Sequence, residues 1–149
     1  MGQQTGAGAT LAISAASPAT KDAQGYGALT YIEIGLIEKI GAFGATFTKV
    51  EFQPLKGTKQ KYKGSKDNGA LQPNMALDSA DAGQALLQTS ADDESQKLYT
   101  MRVTYQDGSK RYFGGRTFGM PENVDGANNV VTAAPTIEIC TDIVKVAAA

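Results

Sequence analysis

The chain has 149 residues, 14 basic and 15 acidic, with a formal net charge of −1. That length supports one domain with a real core, and the charge balance argues against a dedicated nucleic-acid binder while permitting close self-association. Histidine is absent and Cys140 is the sole cysteine, which excludes an intrachain disulfide, histidine-ligated or structural zinc, and the common Ser-His and Cys-His nucleophile pairs.

Met1 to Ala9 is small and polar, and is expected to be a mobile arm. Met1 to Thr10 lacks a basic segment followed by an apolar run, and no stretch approaches the roughly 20 apolar residues of a membrane span. The expectation is a chain made in a reducing cytoplasm, with no membrane partner. Thr10 to Ser14 puts Leu11 and Ile13 on one face of a first strand. Ala15 to Gly27, with Pro18, Gly25 and Gly27, is expected as a long loop.

Tyr31-Ile32-Glu33-Ile34 is a short β-branched strand, and Gly35, Gly41 and Gly44 punctuate the next stretch. Ala45 to Phe52 alternates, Thr48, Val50 and Phe52 facing one way and Phe47, Lys49 and Glu51 the other. A second long loop is expected from Pro54 to Gly69, ending in the tight-turn pair Asn68-Gly69. It carries Lys56, Lys59, Lys61, Lys63 and Lys66 with no acid before Asp67. Leu71, Met75 and Leu77 then mark a strand leading to Asp78.

Ala80 to Ala91 is the one clear helix, with Asp78 or Ser79 as cap and Ala82, Ala85, Leu86 and Thr89 as its apolar stripe. Asp92-Asp93-Glu94 opposes the dipole and should end it. Leu98 to Gln106 is a strong strand, Tyr99, Met101, Val103 and Tyr105 on its core face. Asp107-Gly108 turns it into a partner strand, Lys110 to Phe118, with a bulge expected at Gly114-Gly115. Pro121 to Asn129 is turn-rich, and Thr136 to Val146 is a long last strand whose phase slips near Thr141-Asp142. The sum is a mainly β chain, a β-sandwich or barrel with one flanking α-helix, in a single domain.

Parts for chemistry are missing. Cys140 sits in a strand as a small half-buried residue. Asp92, Asp93 and Glu94 form a solvated turn rather than an acid–base pair. Asp67-Asn68-Gly69 lacks the spaced acids of a calcium loop, and Gly35 to Gly44 has no following Gly-Lys-Ser/Thr. The chain is therefore expected to be no enzyme, with no catalytic, metal or cofactor residues. The lysine run leaves three readings open: a solvated hairpin guarding an edge, a phosphate-contacting arm, or an arm docking on acids of a neighbouring subunit.

A resemblance narrows these. Ile32-Glu33-Ile34-Gly35, then Ile40-Gly41-Ala42-Phe43-Gly44 and the strand after it, resembles the N-terminal half of major tail tube proteins of long-tailed (siphovirus-type) phages. The basic segment Lys56 to Gly69 is similar to that family's long loop. Asp78-x-x-Asp81-x-Gly83-Gln84 resembles its strand-to-helix junction, and Thr136 to Val146 its terminal strand. The likeness covers roughly residues 29 to 146, and its order of pieces matters more than any single motif.

The resemblance implies the tail tube fold shared with contractile tails and type VI secretion tubes. It implies rings of six subunits stacked into a hollow virion tube for genome ejection. Partners would be other copies and the tape measure, terminator and distal tail proteins, with DNA passing through the lumen without specific binding. It makes Lys56, Lys59, Lys61, Lys63, Lys66 and Asp67 an inter-subunit docking loop, with Glu33, Glu38, Asp92, Asp93 and Glu94 as candidate acidic partners. The competing expectation is a secreted or virion-displayed β-sandwich that binds carbohydrate or a host surface. The lack of Trp and the core-facing tyrosines speak against it.

Overall fold

In the structure, a computed structural model describing residues 3–148, Leu11 and Ile13 are fully buried on strand β1 (Thr10–Ser14). Helix α1 (Ala23–Gly27), β2 (Ile32–Ile34), β3 (Ile37–Lys39), β4 (Thr46–Phe52) and β5 (Gln60–Asp67) come after it. Next come β6 (Ala70–Leu71), β7 (Asn74–Ala76), α2 (Ala82–Asp92), β8 (Tyr99–Thr104) and β9 (Lys110–Thr117). The chain ends with β10 (Glu122–Asn123), β11 (Thr132–Ala133), β12 (Ile137–Ile139) and β13 (Val144–Val146).

The largest sheet runs β2-β1-β8-β9-β12-β6, with β13 also on β9. A four-stranded sheet runs β10-β11-β7-β3, and β4-β5 is a sheet of its own. The fold is mainly β, as expected. Leu11, Ile13, Met101, Val103 and Phe113 of the large sheet meet Leu87 of α2, Met75 of β7 and Ala133 of β11 in one core. The expected hairpin forms at Asp107-Gly108, where Asp107 Oδ1 accepts from the Ser109 amide at 2.9 Å.

The other face of the large sheet is covered too. The 15–27 segment, expected as loop, contains α1, which drives Tyr26 to 1% exposure. Its ring stacks on Tyr112 of β9 at 5.4 Å between centroids. Thr100 Oγ1 donates to the Ala16 carbonyl at 2.7 Å, and the Arg102 guanidinium lies 4.7 Å from the Tyr31 ring. Pro18, Gly25 and Gly27 signalled irregular chain, but Asp22 caps a single helical turn by accepting from the Gly25 amide at 2.8 Å.

The strand-to-helix junction is a hydrogen-bonded lock. Asp81, not Asp78 or Ser79, caps α2: its Oδ2 accepts from the Gln84 amide at 2.9 Å and the Gly35 amide at 3.1 Å. Gln84, 2% exposed, accepts from the Asp78 amide and donates to the Gly35 and Ala76 carbonyls, each at 2.9 Å. A Cβ on Gly83 would stand 2.1 Å from the Glu33 carbonyl oxygen, so only glycine lets the helix lie against β2. The buried face of α2 is therefore Gly83, Gln84, Leu87 and Ser90; of the expected stripe, Ala82, Ala85 and Thr89 are exposed and Leu86 half-buried. Both stripes have helical spacing, and polar satisfaction and close approach chose between them.

Two further expectations are corrected and a third is met. The strand expected across Leu71 to Leu77 is two strands in different sheets, because buried Pro73 has no amide to continue a ladder. No bulge occurs at Gly114-Gly115 against β8, where the register is continuous. The glycines instead admit the last strand, since a Cβ on Gly115 would meet the Glu138 carbonyl at 2.6 Å. The expected phase slip at Thr141-Asp142 is present, and separates β12 from β13 on the same partner β9. There the Cys140 and Thr141 amides both donate to the Gly114 carbonyl, and Thr141 Oγ1 accepts from the Gly114 amide at 2.8 Å.

Candidate assembly surface

The segment 54–69, expected as a loop, is half strand: β5 (Gln60–Asp67) pairs antiparallel with β4, and 54–59 and the Asn68-Gly69 pair lie outside it. Lysines alternating with Gln60, Tyr62 and Gly64 looked like a charge run, but that spacing also suits a two-faced strand. Glu51 faces Lys61 and Lys49 faces Lys63; after a register shift, Phe47 faces Lys66. The extra residue at Gly64-Ser65, the two facing Thr48 alone, puts Lys61, Lys63 and Lys66 on one face despite their unequal spacing. A Cβ on Gly64 would stand 2.8 Å from the Thr48 carbonyl, so this bulge requires a residue without a side chain.

That face is a charged lattice. Glu51 pairs with Lys49 at 3.0 Å and Lys59 at 3.7 Å, and Lys63 Nζ stands 4.9 Å from the centre of the Phe47 ring. The opposite face carries an apolar group: Val50 lies across from Tyr62 and Phe52 across from Gln60, with Leu55 in the turn. Phe52 is 58% exposed, Tyr62 55% and Leu55 fully exposed. Such side chains on a two-stranded sheet outside the core gain nothing from the monomer.

Lys66 Nζ anchors the hairpin's base by an ion pair with Asp142 Oδ1 at 3.0 Å. The hydrogen bond and positive charge of Lys66 hold the Asp142 carboxyl below its ordinary value. Lys56, Lys59, Lys61, Lys63, Lys66 and Asp67 thus lie on one projecting element, and the lysines' acidic partners within the chain are Glu51 and Asp142. Sequence reasoning named neither. Glu51's place in the Ala45 to Phe52 alternation was the available signal; Asp142 had none, because only the break between β12 and β13 presents it.

The candidate acids are not gathered. Glu33 sits on edge strand β2, and Glu38 accepts from Asn74 Nδ2 at 3.2 Å. Asp92 accepts from Gln88 Nε2 at 3.0 Å at the end of α2. Asp93 accepts from the Ser95 hydroxyl and amide and the Tyr99 hydroxyl, which lower its pKa. Glu94 is exposed. Cys140, expected half-buried, is exposed, because the slip turns it outward beside the Arg116 guanidinium at 3.3 Å. No three His, Cys, Asp or Glu gather to hold a metal among the described residues, and no helix there is long and apolar enough to cross a membrane.

No protein-family profile and no curated protein matches the chain at the sequence level. Its fold does match solved structures. A chain of the anti-feeding prophage baseplate, six-fold symmetrised, aligns with a TM-score of 0.67 at 8% identity, over 94% of this chain and 93% of that one. A chain of an extracellular contractile injection system, in the extended-state structure of the PVC sheath/tube terminator, aligns with a TM-score of 0.60 at 10% identity, over 92% and 93%. The fold is therefore one shared with chains of a prophage baseplate and of a contractile injection system.

Proposed function

We propose that the chain is a structural tail tube subunit of a long-tailed phage, built into stacked six-membered rings around a channel for DNA. The observation that carries this reading is the β4–β5 hairpin, apolar on one side and ion-paired on the other, projecting from a fold that matches chains of tail-like particles. A projecting element with an exposed apolar face is suited to lie on another subunit, and a heterologous contact that repeats yields rings or filaments. The whole chain acts as one tail tube domain. Its partners are its own copies within and between rings and the tape measure, terminator and distal tail proteins at the ends. DNA passes without specific binding, and the mature location is the virion. No catalytic step enters this role.

Electron microscopy of the purified chain over a concentration series tests the reading, with rings or tubes expected. The second reading is a surface-binding module, favoured only by the exposed Phe52 and Tyr62. A strict monomer at low and high salt that bound glycans would favour it and overturn the first.

A further inference from the structure

Groups of opposite charge lie beside the two ends of strand β9, which itself carries only cations. Near its start, Arg111 and Lys145, paired in register, line a cleft of about 440 Å³ with Lys66. Tyr105 holds the Arg111 guanidinium in place at 4.8 Å from its ring centre. Asp142 pairs with Lys66, and Asp107 lies within the field of Arg111, so two acids stand against these three cations. At the far end, Thr117 Oγ1 accepts from Ser90 Oγ at 2.8 Å, which fixes the C-terminal turn of α2 there. Asp92, Asp93 and Glu94 come directly after, with Lys97 the nearby cation; Arg116 is held on the Gln96 carbonyl at 2.8 Å. Six residue steps along the strand take Arg111 to Thr117, about 20 Å.

Neither cluster is fully neutralised within the monomer. Three acids at a helix C-terminus oppose its dipole, and gathered cations repel. The two clusters complement each other between copies and, on opposite ends of one strand, cannot meet within a copy. We propose that the cleft of Lys66, Arg111 and Lys145 receives the acidic α2 end, Asp92 and Glu94, of a second copy. This makes a head-to-tail contact that sets the polarity of assembly. The inference rests on the reading of the chain as a self-assembling subunit, and names a contact apart from the hairpin's apolar face.

Charge reversal and cross-rescue test it. The variant Asp92→Lys/Glu94→Lys and the variant Arg111→Glu/Lys145→Glu should each raise the concentration for half-assembly by at least about tenfold. Mixed in equal amounts they should co-assemble, because each altered end then faces an altered complement. Lys145→Glu alone, at an exposed residue, covers the case in which loss of the Arg111–Tyr105 contact disturbs folding, and circular dichroism checks each monomer. Assembly is followed by sedimentation velocity at about 50 mM and about 500 mM salt. If the unaltered chain assembles and the reversed variants do so equally well, or if mixing rescues nothing, this contact is wrong and the tube reading stands. If the unaltered chain never assembles, both fall.

Discussion

Gln84 shows why a polar residue inside a helix can matter more than its apolar neighbours. It is 2% exposed and joins α2 to β7 and to the turn between β2 and β3 through three hydrogen bonds of 2.9 Å. Gln84→Leu keeps the approximate volume and leaves one amide and two carbonyls unpaired. The expected loss is about 2–4 kcal/mol of folding stability, read by urea denaturation. An equally stable leucine variant would show that these groups find other partners. The Asp78-x-x-Asp81-x-Gly83-Gln84 pattern thus has a physical basis in cap, close approach and buried amide. Its spacing was visible in the sequence; the burial of Gln84 was not, because glutamine on a helix is ordinarily a surface residue.

At the scale of elements, turns and hairpin answer to different conditions. Asp22, Asp93 and Asp107 each accept hydrogen bonds from residues two or three places on, and all three are lowered from the ordinary 3.8. A carboxyl lowered by folding contributes stability that is present above 3.8 and lost as pH falls through the folded value. Thermal melts should therefore hold steady from neutral pH to about pH 5 and decline below about pH 4. In Asp93→Asn/Asp107→Asn that acid-side decline should be smaller. The hairpin should respond to assembly rather than to folding. Lys59→Glu/Lys61→Glu/Lys63→Glu disrupts exposed pairs worth under about 1 kcal/mol, so the monomer should stay folded while stacking is lost. Tubes of normal length from this variant would remove the lysines from docking. Phe52→Ser/Tyr62→Ser should likewise spare the monomer's melting temperature and weaken assembly, since both side chains are exposed in the single chain.

For the whole molecule, stability is unevenly distributed. The large sheet, α2 and the four-stranded sheet share one core, and β4–β5 stands outside it. Two strands without a packed face open readily in water. Hydrogen exchange should show fast exchange of β4–β5 amides in the monomer and at least about tenfold slower exchange on assembly, with core amides little changed. Equal protection of the hairpin in both states would mean that subunits do not cover it.

Local signals were legible wherever one residue type decides a local geometry. Alternation gave β1 and β8; the Asp107-Gly108 turn gave β9 as the partner of β8; Asp92-Asp93-Glu94 gave the end of α2. Mainly β architecture came from their sum, and the lysine segment was recognisable as the unusual one. Faces and partners were left undecided by the sequence. Neither the buried side of α2, nor the split of Leu71 to Leu77 between two sheets, nor the outward turn of Cys140 is a property of local spacing. Each depends on which backbone approaches closely enough to satisfy or exclude a group. The same holds for the assembly surface: sequence order lists its lysines, but pairing across a bulge puts Lys61, Lys63 and Lys66 on one face and leaves Val50, Phe52 and Tyr62 on the other. Likewise, only the register along β9 and the Ser90–Thr117 hydrogen bond set the basic cleft and the acidic end of α2 about 20 Å apart, because charges distant in the chain acquire an arrangement only when the fold fixes them.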